Sequence, residues 1–591
     1  MSEKRRVLFV GEASYLATGF STYWNEVIKR LHATGEFEIA EFGSYAHDDD
    51  PRVRAVPWKF YPNVPAQNDK QGQQVYHSRP THQFGEWRFE QVLLDFKPDV
   101  IAGIRDFWMD EFILRSPLRD KFAFIWMPTI DGAPQRDLWL DSYRQCERVL
   151  TYSQWGFDLL KKEGGPGINL VTVASPGADI EVFKPVPDKR QHKASSGLPP
   201  DAIIVGTVMR NQKRKLYYDL IEAFAGWVQR SKTKGHLDLA RRTFLYLHTS
   251  YPDGGYDIGK AIREFNVGNR VLMTYLCNAC GVAYPSFFAG DWTHCRHCNQ
   301  LQAHPPNASQ SVSRETLAHV INLFDLYVQY SICEGWGMPI TEAQCAGVPT
   351  MALPYSAMVD HLECPGAIPI EVERFFYEAV IETEQRRALP DNRSFQRELD
   401  RFLRLGPAQR QEISKQVRDW IVEPVEVYGQ DEKLPRRSWE RCAAIWANVI
   451  RECPIKDRKT TWLNPRARLC QPDMNPPNQN MTNAQFVRWA IAKVWCRPEM
   501  VRSFMAGEWT RWLSAGFRIE GFQRVPVDRN VVVQHFAALA KGRNETESRK
   551  PRSCDQWRRY CVRLPRFVII TAVGQRGVFA RELAAPLAVG S

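Results

Sequence analysis

Two runs of short apolar strands alternating with amphipathic helices dominate the chain. This alternation restricts the fold more than any other feature of the sequence. The first run opens with RRVLFV, a Gly-containing turn, GEASYLATGF, and a helical stretch, STYWNEVIKRL. Further strands are expected at DVIAGI (99–104), FAFIWM (122–127), RVLTYS (148–153) and NLVTVAS (169–175). Such an order builds a parallel sheet with helices on its faces. A Pro-, Lys- and Ser-rich segment at 184–201, KPVPDKRQHKASSGLPPD, reads as a linker. A second series follows, with strands AIIVGTVM, RTFLYLHTS, NRVLMTYL and LYVQYS between the helices KLYYDLIEAFAGWVQRS and SRETLAHVINLF.

The expected fold class is therefore α/β, with two Rossmann-like, doubly wound domains facing a cleft. The first covers 1–183, the linker 184–201, and the second 202–372. Closing helices occupy 373–454, and a basic, mainly helical extension runs over 455–591. That extension holds 24 Lys and Arg against 10 Asp and Glu, whereas the rest of the chain holds 54 against 57. A positive excess confined to one end points to a polyanion partner. Its arginines are interleaved with aromatics in RWAIAKVWCRPEMVRSF, EWTRWL and QWRRYCVRL. Arginines neutralise phosphates, and rings stack on unpaired bases. Alternatively Trp489, Trp495, Trp509 and Trp512 form the core of a small domain with helices near 482–496 and 529–541. No apolar run approaches the ~20 residues that span a membrane. The first strand is too short for a signal peptide, so a soluble, cytoplasmic protein is expected.

In open α/β sheets ligands sit at the carboxyl ends of the strands. After AIIVGTVM comes RNQKRK, where Arg210, Lys213, Arg214 and Lys215 crowd a strand end and would favour a phosphate. After LYVQYS comes EGWGMPITEAQCAGVPT, residues 334–350, with Glu334 in the loop and Glu342 expected in the first turn of a helix. Gly335 and Gly337 permit close backbone approach, and Pro339 suits a helix start. Carboxylates accept hydrogen bonds from vicinal hydroxyls, and free amides at a helix start bind ligand oxygens. A glycosidase pair would face across the scissile bond, whereas these two share one wall. Cys277, Cys280, Cys295 and Cys298 form C-x2-C-x14-C-x2-C, the spacing of a tetrahedral, structural Zn2+ site in an inserted ribbon at 275–300. His294 and His297 beside it read as surface residues. The ribbon leaves a strand's carboxyl end and is expected near the cleft rim. Asp48, Asp49 and Asp50 read as an exposed loop.

In order and spacing these segments resemble the retaining glycosyltransferases of family 4 (group 1), which have the GT-B fold. SPGADIEVFKP (175–185), VGTVMRNQKRK, EGWGMPITEAQCAGVPT and SWERCAAIW (438–446) carry the resemblance, which covers roughly residues 5–453. It implies hexose transfer from a nucleotide-diphosphate sugar, with UDP-sugars favoured and no catalytic metal. Arg210 and Lys215 would bind the diphosphate. Glu334 and the backbone of Gly335, Trp336, Gly337 and Met338 would hold the sugar, and Glu342 the ribose. Gly19 matches the loop that approaches the diphosphate from the first domain, with Thr18 where the family often has glycine. Asp131, in MPTIDGAP, stands where the family often has a histidine. As a base toward the acceptor hydroxyl it would open the way to inversion; as a turn aspartate before Gly132 it would not. Without such a base the resemblance implies retention, the leaving phosphate oxygen taking the acceptor proton. The ribbon and basic extension suggest DNA bearing a hydroxymethylpyrimidine as acceptor, as in viral (phage) DNA modification, the base leaving the duplex to react. The rivals are a glycan or lipid at the cytoplasmic membrane face, with the extension on anionic lipid, and an inactive nucleic-acid-binding protein on a GT-B scaffold.

Overall fold

The structure, a computed structural model, describes residues 3–307, 310–378 and 383–463. Nearly all of the basic extension, with the helices expected at 482–496 and 529–541, lies outside the described residues.

The first sheet contains β1 (Arg6–Glu12), β2 (Glu38–His47), β3 (Lys59–Val64), β4 (Val100–Gly103), β5 (Ala123–Trp126), β6 (Arg148–Thr151) and β7 (Leu170–Val173). All are parallel, in the order β3-β2-β1-β4-β5-β6-β7. Val7, Leu8, Phe9 and Val10 are all buried, so both faces of β1 are covered, as parallel sheets require. The sequence reading lacks β2 and β3. EIAEFGSYAH carries two glutamates, and a buried carboxylate is unusual in a central strand. Here Glu41 is buried but satisfied by the Ser14 amide (2.7 Å), the Ser14 hydroxyl (2.8 Å) and the Trp58 indole (2.8 Å).

The second sheet contains β8 (Ile203–Val208), β9 (Thr243–His248), β10 (Val271–Cys277), β11 (Ala283–Phe287), β12 (Ala303–His304), β13 (Leu326–Gln329), β14 (Thr350–Ala352) and β15 (Ile368–Pro369). Its main path runs β11-β10-β9-β8-β13-β14-β15, with β12 also on β10. Strands β11 and β12 are antiparallel to β10. In each sheet the order reverses beside the first strand, at β1/β4 and at β8/β13. Those switch points open the crevices in which ligands bind.

The linker 184–201 is docked rather than loose. It contains a helix, Lys189–Ser195, and Lys193 is buried, donating to Asp325 (2.6 Å) and the Ala202 carbonyl (2.7 Å). Its composition hides this because a lysine buries its stem while its ammonium finds partners. After the second sheet, the helices Asn392–Leu403 and Pro407–Val422 and two β-hairpins lead to the helix Trp439–Glu452. That helix returns to the first domain: Trp446 Nε1 donates to the Tyr23 hydroxyl (2.7 Å), and the Trp446 and Trp24 rings meet at 5.2 Å. Beyond position 455 the chain stays on this domain for several residues. Arg458 pairs with Asp99 (2.6 Å), and the compact unit continues to Thr461.

Candidate active site

Glu334 follows β13, and its side chain is held by three donors. Its Oε1 accepts hydrogen bonds from Gln329 (2.5 Å) and Ser331 (2.8 Å) and pairs with the Lys215 ammonium. None of these bonds reaches Oε2. Burial would raise its pKa, but Lys215 and Arg214 outweigh this and hold the carboxyl below its usual value. Ser356 accepts the Glu334 amide at 2.9 Å, fixing the loop's start. The amides of Gly335, Trp336, Gly337 and Met338 donate to no group among the described residues. Gly337 caps the helix Met338–Cys345 at φ 96° with no side-chain cap, a conformation that favours glycine.

Glu342 falls in the second turn of that helix, not the first, because the helix begins at Met338. Its side chain has no hydrogen-bond partner among the described residues. Burial pushes its pKa up to about 7, against a modest opposing pull from Arg314. Both Glu334 and Glu342 help to raise the pKa of the buried Tyr327 hydroxyl, after burial itself. Trp336, by contrast, is 4% exposed. Its indole donates to Thr341 (2.9 Å), meets the tilted His361 ring at 4.4 Å and lies under the Arg437 guanidinium. Only its backbone remains for a ligand.

The basic loop after β8 divides its labour. Lys215 is buried and committed to Glu334. Arg210 is exposed and paired with Asp253 (2.7 Å). Lys213 lies over the Tyr256 ring at 4.5 Å. Arg214 is exposed and has no side-chain hydrogen bond or ion pair among the described residues, while acting electrostatically on Glu334. It is the cation of this loop without a fixed partner among the described residues; the sequence placed it in the basic cluster, and the resemblance gave it no role of its own.

The first domain supplies the facing wall. Thr18 caps the helix Gly19–Thr34, its hydroxyl accepting from the Ser21 amide (3.2 Å) and donating to Glu12. A Cβ on Gly19 would come within 3.5 Å of the Met338 methyl, so this loop abuts the helix start of the opposite domain. A Cβ on Gly335 would stand 2.5 Å from Thr129. Glycine there is what lets the two walls approach. Asp131 is held across the cleft by Arg387 (2.9 Å) and accepts the Cys333 thiol at 3.5 Å. Each carboxylate oxygen therefore already has a donor. Beside it lies Asp106, in the loop after β4, whose pKa burial and the neighbouring Asp131 push up to about 7. The signal for Asp106 was present in the sequence: the Arg-Asp pair directly follows the strand DVIAGI, at a carboxyl end.

The four cysteines of the ribbon come together. Their sulfurs lie within 4.8 Å of one another, with Cys277–Cys298 at 3.6 Å and Cys280–Cys295 at 3.7 Å. Thiolates about 2.3 Å from one tetrahedral ion would be separated by about that much. His294 and His297 are otherwise engaged, with the Asn299 carbonyl (3.0 Å) and Arg296 (3.2 Å). Asp48 pairs with Arg88 (2.7 Å), and Asp50 caps a short helix, as befits a surface loop.

No family model and no curated protein matches the chain. Solved structures do. A sucrose-phosphate synthase from Thermosynechococcus elongatus is 16% identical, aligned over 76% of this chain and 99% of its own, with a TM-score of 0.51. The N-terminal domain of the trehalose-6-phosphate phosphatase of Candida albicans is 10% identical over 77% of this chain and 97% of its own, with a TM-score of 0.50. The likeness is one of fold: two parallel-sheet domains in the GT-B arrangement.

Proposed function

We propose that the protein transfers a hexose from a nucleotide-diphosphate sugar to an acceptor hydroxyl, with UDP-sugars the first donors to test. The observation that carries this reading is the Glu334 constellation. A carboxylate held by three donors on Oε1 leaves Oε2 for ligand hydroxyls, directly beside amides that donate to no group among the described residues. Amides at a helix start are suited to the oxygens of a sugar or phosphate. Glu342 is the group proposed for the ribose. Arg210, and Arg214 with it, would face the diphosphate, and Lys215 would act by fixing Glu334. Gly19 would let the first domain close over the phosphates.

Retention is the proposed outcome. Asp131 is engaged by Arg387 and Cys333, so serving as a base would mean breaking a largely buried ion pair. A leaving phosphate oxygen needs no such rearrangement to accept the acceptor's proton. Zn2+ on the four cysteines is proposed as structural. The acceptor reading, a hydroxymethylpyrimidine in DNA, rests on the charge and Arg/Trp pattern of 455–591.

The test offers labelled UDP-glucose and other sugar nucleotides with hydroxymethylated DNA, unmodified DNA and anionic vesicles. Label on hydroxymethylated DNA alone is the expected result. Label in lipid alone refutes the DNA acceptor. Donor hydrolysis and transfer both absent, with salt-sensitive DNA binding retained, refutes the enzyme reading.

A further inference from the structure

The ribbon is joined to the basic loop by a continuous path. Leu276 pairs with Ala283 of β11 on one edge of β10 and with His304 of β12 on the other. Strand β12 therefore lies on the β9 side, beyond the end of β9, where the loop 249–257 begins. The Tyr251 amide donates to the Pro306 carbonyl (2.9 Å), just past β12, and the Tyr251 ring meets Phe288 of the ribbon at 5.6 Å. Thr293, at the second cysteine pair, exchanges backbone bonds with Ala303.

The other end of loop 249–257 grips the basic loop. Asp253 holds Arg210 at 2.7 Å and accepts the Ser250 hydroxyl at 2.5 Å. Burial would raise the Asp253 pKa, but Arg210, Ser250 and the Gly254 amide bring it down to about 2. Asn211 donates to the Tyr256 carbonyl (2.8 Å) and accepts the Tyr256 amide (2.9 Å), and the Tyr256 hydroxyl donates to the Lys213 carbonyl (3.0 Å). A Cβ on Gly255 would stand 2.2 Å from the Asn211 side-chain oxygen.

We propose that Zn2+ bound by Cys277, Cys280, Cys295 and Cys298 positions Arg210 for the donor's phosphates, through the path Pro306–Tyr251–Asp253. The metal clamps the two cysteine knuckles, the knuckles fix β12, and β12 fixes the loop that holds the guanidinium. Arg210 is the residue that would touch the donor; the metal and Asp253 are positioning groups. The inference rests on the nucleotide-sugar reading for its ligand, though not for its geometry.

Titration of wild-type protein with UDP and UDP-glucose, zinc-loaded and chelator-stripped, tests it, alongside Arg210→Ala and Cys280→Ser. One zinc per chain is expected, lost in Cys280→Ser. Stripping should weaken donor binding roughly tenfold, within the usual range of coupling between two separate sites. In Arg210→Ala, stripping should have no further effect, because residues acting through one another are not additive. No bound zinc, an unchanged affinity, or the same loss in Arg210→Ala overturns the proposal. Hydrogen exchange gives a ligand-free reading: stripping should speed exchange at 249–257 and 210–216, and unchanged rates there overturn it as well. If loaded wild type binds neither UDP nor UDP-glucose while exchange responds as expected, the donor reading fails and the metal's hold on the loop stands.

Discussion

At the scale of single residues, the Glu334–Lys215 pair links stability to the proposed donor site. Both groups are buried, and removing one partner leaves an uncompensated charge, at a cost of about 3–5 kcal/mol. Glu334→Gln and Lys215→Met should each lower the urea midpoint strongly. The double variant should recover most of the loss while remaining unable to bind donor. Independent, additive losses in the double variant would show that the pair is not a unit. Glu342 offers a test by pH. Its folded pKa of about 7 lies above the ordinary carboxyl value of 4.5, so the folded state binds the proton more tightly. The stability this gives is complete below about pH 4.5 and is lost as pH rises through 7. Glu342→Gln removes the titrating group, so its stability relative to wild type should improve by on the order of 2 kcal/mol between pH 5 and pH 8. A gap that does not change with pH would place the Glu342 pKa at its ordinary value. The glutamates and the basic loop were legible because each follows a recognisable strand. The ion pair joining them was not, since Glu334 and Lys215 are 119 positions apart and only the sheet order brings β8 beside β13.

At the scale of elements, the hairpin formed by Val372–Tyr377 and Arg386–Pro390 is the principal novelty. Sequence reading placed closing helices from 373 onward, but this stretch pairs as two strands. Its Glu- and Arg-rich pattern presents no clean apolar alternation, since most of Val372–Tyr377 is exposed or half-buried. The hairpin reaches the opposite domain: Arg387 holds Asp131 and Glu378, Gln385 donates to the Gly132 carbonyl (3.0 Å), and the Arg386 amide donates to Ala133 (2.8 Å). Arg387→Met should expose the 129–134 loop to faster hydrogen exchange and destabilise the protein by about 3 kcal/mol, the lower end for a broken buried pair. Arg387→Lys should recover only part, because one ammonium cannot reproduce the guanidinium fork. Unaltered exchange at 129–134 in Arg387→Met would mean that the hairpin does not hold that loop. The gathering of Cys277, Cys280, Cys295 and Cys298, in contrast, was readable from their spacing alone, since such spacing is a local property.

At the scale of the whole molecule, the first domain is not a contiguous stretch of chain. Tyr23 and Trp24 are buried beneath Trp439, Cys442 and Trp446, which belong to the last long helix among the described residues. Trp446→Ala should cost about 3–5 kcal/mol, as other large-to-small core changes do, and should lower the melting temperature of the first domain as measured by domain-resolved exchange. A fragment of 1–183 should fail to fold alone and should be rescued by a separate 439–461 peptide; folding without that peptide would refute this account. The chain consequently passes between the domains twice, and the two passages run side by side. Ala178 bridges to Ser438, and Gly177 lies so close to the Ser438–Trp439 backbone that a Cβ would come within 2.3 Å. A single passage would act as a swivel, leaving the halves free to turn about it. Two parallel threads make a spine, which resists the twisting that a single thread would permit. That spine sets the register in which Gly19 meets Met338 and Thr129 meets Gly335 across the two walls.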